Sequence, residues 1–152
     1  MKTIKNILDR EIKYVEYDTS MNWSADLPID NWSLIIITDE MNTTAFDEIL
    51  KKSIDRNVGY ICGIGKQHEL IHIMADAEIQ NRELEHSNHM PNHFIITVSD
   101  ENFENGLWSD IYASFNPETD IKEIIILDTT NNYFEKTVNL IEKFHAGYIP
   151  EE

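Results

Sequence analysis

Two hydrophobic periods share this chain. Residues 34–38, 57–63, 93–99 and 123–128 are short, mostly apolar runs rich in β-branched side chains. That pattern predicts central strands covered on both faces. Between them the spacing changes to threes and fours. Ala45, Phe46, Ile49, Leu50 and Ile54 predict a helix capped by Asn42 or Thr43 and running to about residue 53. Residues 65–85 predict a long helix whose apolar face carries Leu70, Ile71, Met74 and Ala77, with Ile73 at its margin. Leu107, Ile111 and Tyr112 predict a short helix ending before Pro117. Phe134, Val138, Ile141 and Phe144 predict a last helix that starts at Thr130 or Asn131 and stops at Gly147 and Pro150.

Weaker patterns fill the rest. Residues 11–18 alternate imperfectly and predict a partly exposed strand at a sheet edge. Residues 3–10 suggest a helical turn or an irregular lead-in. Residues 19–31, with Trp23 before Pro28 and Trp32 just beyond, suggest a loop that folds back on the domain. Apolar strands alternating with helices need crossovers, which cover both faces of a parallel sheet. The expected fold is therefore α/β: a three-layer αβα sandwich with a mostly parallel sheet of about five strands, Rossmann-like or flavodoxin-like. With 152 residues and no internal repeat, one domain over 1–152 is expected.

Composition narrows the function. Apolar residues make up 41% and charged residues 26%, an ordinary globular balance. The 28 acidic residues against 12 Lys and Arg leave a formal charge of −16. Such a surface disfavours nucleic acid and anionic membrane, and suits a basic protein partner. The one cysteine, Cys62, excludes an intrachain disulfide. No apolar run approaches membrane-spanning length and no signal-peptide core follows the first residues, so a cytoplasmic location is expected.

Chemistry-capable residues gather at the ends of the strands, where open parallel sheets bind ligands. Asp39, Glu40, Asp100 and Asp128 form an acidic rim able to hold Mg²⁺ through oxygen, although such residues also cap helices and turns. Gly63 and Gly65 lie between a strand and a helix, the context of a phosphate loop. They lack the third glycine of a dinucleotide fingerprint and the full P-loop pattern, so positive φ and close packing are the simpler role.

The sharpest motif is His68-Glu69-Leu70-Ile71-His72. Histidines four apart on a helix can share a Zn²⁺, with Glu69 as general base and Asp76 as a third ligand. The predicted helical wheel, however, turns His68 and His72 away from the apolar face and toward solvent. Trp23, Trp32 and Trp108 are candidate interface anchors or plugs under loops. Three functions follow. The first is a non-enzymatic acidic interaction module without a cofactor, such as an inhibitor or immunity protein that neutralises a basic partner. The second is a Zn- or Mg-dependent hydrolase. The third is a nucleotide or small-molecule sensor.

Overall fold

A computed structural model describes residues 1–39, 43–86 and 88–151. Its strands are β1 (Lys2–Ile7), β2 (Arg10–Glu16), β3 (Trp32–Thr38), β4 (Tyr60–Gly65), β5 (Ile96–Asp100) and β6 (Glu123–Asp128). Its helices are α1 (Phe46–Asp55), α2 (His68–Glu85), α3 (Phe103–Ala113) and α4 (Phe134–His145). The six strands form one sheet in the order β1-β2-β6-β3-β4-β5. All neighbours are parallel except β1 and β2. β6 and β3 occupy the centre, and the isoleucine runs Leu34–Ile37 and Ile124–Leu127 are fully or almost fully buried there. Each such side chain contributes about 1.5–3 kcal/mol relative to exposure.

The topology decides which face each helix covers. From β3 to β4 to β5 the chain steps in one direction, and crossovers of one hand leave both helices on one face. Phe46, Ile49, Leu50 and Ile54 of α1 and Ile71 and Ala75 of α2 share a core cluster with Leu34, Ile36 and Ile61. From β5 the chain returns past β4 and β3 to β6. Leu107 and Ile111 of α3 and Leu140, Ile141 and Phe144 of α4 pack with Ile35, Ile37, Cys62 and Ile126. Between β2 and β3 the chain crosses without a helix, and Trp23 and Leu27 of that loop fill the place one would take.

Several expectations need correction. The sheet has six strands, because residues 2–7 form β1 rather than a helical turn. β1 covers β2, so β2 is internal and the true edges are β1 and β5. Alternation in β1 is masked by Lys2 and Lys5 on a strand with only one buried residue, Ile7. The last strand in sequence, β6, lies inside the sheet between β2 and β3, which distinguishes the order from Rossmann-like and flavodoxin-like sheets. Helix α1 starts at Phe46 after an uncapped Ala45; the Asn42 cap lies outside the described residues.

Helix α2 differs most from its wheel. Its buried positions are Ile71, Ala75 and Arg82, while Ile73 and Ala77 are exposed. Arg82 is buried because its guanidinium is satisfied on every side. It donates to Glu78 and Asp55 at 2.8 and 2.7 Å and to the carbonyls of His89 and Lys51 at 2.8 and 3.3 Å. It thereby ties α2 to the end of α1. A charged residue on the inner stripe carries no apolar signal, so the periodicity points too far round the helix.

Candidate functional site

Parallel pairing brings the carboxyl ends of the central strands level. Thr38 stands beside Gly65, Ile37 beside Asp128, and Ile64 beside Asp100. From β3 the chain leaves for α1, which packs with one core cluster, and from the adjacent β6 it leaves for α4, which packs with the other. Such a divergence opens a crevice at the strand ends. A cleft of about 450 Å³ lies there, floored by Ile37 and Ile64 and lined by Thr38, Asp39, Gly65, Lys66, Glu101, Phe103 and Tyr133.

The floor of the cleft is rigid for local reasons. Thr38 donates its hydroxyl to the carbonyl of Ile64 at 2.8 Å and accepts from the amide of Gln67 at 3.0 Å. Gly65 has φ +100°, and a Cβ there would sit 2.3 Å from the Thr38 carbonyl oxygen. A Cβ on Gly63 would lie 2.7 Å from Cβ of Ile71. The first glycine lets α2 press on β4 and the second turns the chain into the helix. Helix α2 then starts with no side-chain cap. The amides of His68, Glu69 and Leu70 have no acceptor within the helix, and the positive end of its dipole adjoins Lys66.

The opposite wall is aromatic. The rings of Phe103 and Tyr133 lie 5.1 Å apart, and the Lys136 ammonium stands 4.8 and 5.2 Å from their centroids. Lys66 approaches Glu101 at 3.8 Å with both side chains more than half exposed, a pair worth little in water. Neither aromatic was singled out by sequence: Phe103 sits in a polar stretch and Tyr133 before the apolar stripe of α4.

The acidic rim separates into different roles. Asp39 faces the cleft. Glu40 lies outside the described residues. Asp100 accepts the amide of Asn102 at 2.8 Å and starts the turn into α3. Asp128 is fully buried. It accepts the amides of Thr130, Asn131 and Tyr133 at 2.8, 3.1 and 2.9 Å, the Thr130 hydroxyl at 2.7 Å and the Tyr14 hydroxyl. Burial and then the Asp128 contact push the Tyr14 hydroxyl pKa far up. Asp128 therefore anchors the loop that carries Tyr133, and α4 begins at Phe134 rather than at Thr130 or Asn131 because this loop occupies those residues. Among the described residues no three His, Cys, Asp or Glu side chains converge as a metal cage.

The pentad lies on α2, but not where the predicted wheel puts it. His68 and His72 flank the buried seam of Ile71 and Ala75, and their Nδ1 atoms are buried with no hydrogen-bond partner. They stand at the margin of the packed face rather than opposite it: each Nδ1 is buried, while the His72 side chain stays 39% exposed. His72 Nε2 lies 3.3 Å from Asp76, which accepts the Thr97 hydroxyl of β5 at 2.7 Å. Glu69 is exposed. His89 meets Asn57 at 2.7 Å, and His93 donates to the Val58 carbonyl at 3.1 Å.

Trp23 and Trp32 are buried, and the Trp32 indole donates to the Arg56 carbonyl at 2.8 Å. Trp108 is half-buried and stacks on Tyr112 at 5.2 Å. Trp23 and Trp32 thus belong to the core, not to an open interface. Cys62 is buried, and burial pushes its thiol well above the ordinary range.

One buried carboxyl was not foreseen. Asp110 of α3 lies against β3 and accepts the Ser33 hydroxyl at 2.8 Å. Burial lifts it from an ordinary 3.8 to about 7, although Ser33, Ser114 and Arg10 pull the other way. Arg10 donates to the carbonyls of Ile111 and Ser114 at 3.0 and 2.6 Å, closing the end of α3. An isolated Asp in a helix gives no sign of this in sequence.

No helix among the described residues is long and apolar enough to cross a membrane. No curated protein matches the chain. A family pattern matches residues 12–146, from within β2 to just past α4 and so without β1, and the chain belongs to that family, described as Domain of unknown function (DUF7684).

Proposed function

We propose that this protein binds a small molecule of the nucleotide class in the cleft at the carboxyl ends of β3, β4, β5 and β6. The observation that carries the proposal is the cleft: a recess of about 450 Å³ at the point where β3 and β6 send the chain to helices that pack with different core clusters. An anionic group would meet Lys66 and the uncapped first turn of α2. A planar ring would lie against Phe103 and Tyr133. Asp39 and Glu101 would accept hydrogen bonds from hydroxyl or amino groups. The proposal assumes a three-layer αβα arrangement, which the separate packing of α1 and α2 with one core cluster and α3 and α4 with the other supports.

The test is a titration of ¹⁵N-labelled protein with purine nucleosides and their mono- and diphosphates. Saturable shifts are expected at Gly65, Lys66 and Tyr133. Lys66→Ala should weaken the phosphorylated ligands and leave the nucleosides unchanged, while Tyr133→Ala should weaken both. Absence of localised shifts with every ligand at millimolar concentration would reject the assignment.

A second reading rests on the charge of −16. An acidic module that neutralises a basic protein, as an inhibitor or immunity protein does, needs no cofactor and no cleft. The two readings separate readily, because a charge-steered complex weakens steeply with salt. The hydrolase reading, with Zn at His68 and His72 or Mg at the rim, has less support, since no donor trio converges among the described residues.

A further inference from the structure

The two edges of the sheet are treated differently. β1 carries Lys2 and Lys5 and a register shift between Thr3 and Lys5, features that discourage a further strand from pairing. β5 reads Ile-Thr-Val-Ser-Asp, with no lysine, proline or recorded bulge. Its backbone is half used. The amide of Ile96 donates to the Gly59 carbonyl at 3.2 Å, toward β4. Strand alternation then aims Ile96, Val98 and Asp100 at β4, and aims the N–H and C=O groups of Thr97 and Ser99 at the open side. Among the described residues no hydrogen bond fills those positions, and Ser99 is exposed.

An acidic row overhangs this edge. Glu69, Asp76 and Glu83 recur every seven residues on α2, and all three are exposed. Seven residues are nearly two helical turns, so the three carboxylates share one side. The 2.7 Å bond from Thr97 to Asp76 fixes that side as the one above β5. The row spans about 21 Å, close to the roughly 17 Å of a five-residue strand. Glu118, which accepts the Phe94 amide at 2.7 Å, adds charge at one end of the edge. Asp100 and Glu101 add it at the other. Of the basic groups nearby, His72 meets Asp76 at 3.3 Å, Arg82 is committed to Glu78 and Asp55, and Lys66 faces Glu101.

We propose that β5 receives an extended basic segment of a partner protein as a seventh strand. The added backbone pairs with Thr97 and Ser99, and every second side chain, Lys or Arg, lies beneath Glu69, Asp76 and Glu83. The proposal rests on the basic-partner reading and gives it a location. It is independent of the cleft.

The probe is a labelled seven-residue peptide alternating lysine and valine, followed by fluorescence polarisation and amide exchange. The expected result is saturable, salt-sensitive binding that slows exchange at Thr97 and Ser99 and is absent for the glutamate-valine counterpart. The exposed double variant Glu69→Gln/Glu83→Gln should weaken binding about fivefold. N-methylation of alternate peptide amides should abolish binding in one of the two possible sets and spare it in the other, because only one set faces β5. This comparison leaves the protein's folding untouched. Absence of binding, or equal binding by both methylated sets, would overturn the proposal. Salt-sensitive binding with unchanged exchange at Thr97 and Ser99 would also overturn it, while leaving a general attraction for basic partners intact.

Discussion

Tyr14, in β2, donates its hydroxyl to Asp128 at the end of β6, and the same carboxylate holds three loop amides, the last that of Tyr133. One buried acid, through the amides of Thr130, Asn131 and Tyr133, thus couples the β2–β6 pair to the aromatic wall of the cleft. Tyr14→Phe removes one donor and should cost about 1–2 kcal/mol in urea unfolding. Asp128→Ala leaves buried amides without an acceptor and should cost more, about 2–4 kcal/mol. It should also shift the amide resonance of Tyr133. A variant as stable as the parent, with Tyr133 unmoved, would show that the loop holds itself.

Asp110 predicts an unusual pH dependence. The unfolded chain releases this proton near 3.8, whereas the folded protein retains it up to about 7. Between those values the folded state binds the extra proton, so stability falls as pH rises. The contribution is complete below about pH 4 and lost as pH passes 7. Other carboxylates have the opposite sign: Lys52 and Tyr17 hold Glu48 below the ordinary range, a contribution present at neutral pH and lost in acid. The comparison should therefore be Asp110→Asn against the parent, by chemical unfolding from pH 4 to 8. The variant should gain relative stability as pH rises, and a constant difference across the range would remove Asp110 as the cause.

Gly65 should tolerate no side chain. Its φ of +100° and the 2.3 Å approach of a Cβ to the Thr38 carbonyl act together. Gly65→Ala is expected to cost about 1–3 kcal/mol from backbone strain, with the clash added. Thermal unfolding measures it, and a neutral result would mean that the strand end relaxes freely.

For the pentad the expected result is a low zinc content. His72 is engaged with Asp76, and no third donor joins the two histidines among the described residues. Purified protein exposed to micromolar zinc and then dialysed should retain well under one equivalent. Retention of one equivalent, lost in His68→Ala, would restore the metal reading.

Much of the architecture is written in local patterns. The short β-branched runs at Leu34–Ile37 and Ile124–Leu127 favour buried strands, and the three-and-four spacing of Phe46, Ile49 and Leu50 favours a helix packed on one side. Local order therefore fixes the strand–helix alternation, and with it the expectation that a site lies at the strand ends. The two glycines at the end of β4 were likewise legible as turn and packing residues, because they stand where a strand gives way to a helix.

Relations between distant segments were beyond its reach. β1 carries no alternation because its neighbour β2, not its own side chains, makes it a strand. Asp128 looks like any acid at a strand end until Tyr14, 114 residues earlier in the chain, is beside it. Asp110 is one acid among 28 until burial against Ser33 changes its proton affinity. The packed face of α2 moved toward a charged residue because Asp55 and Glu78 satisfy Arg82 there. Hydrophobic period is a property of neighbouring residues, so the sequence by itself determined the central strands, the helices and their alternation. Strand order, the edges left open, and the partners that satisfy each buried charge depend on contacts between remote residues, and only the tertiary structure decided them.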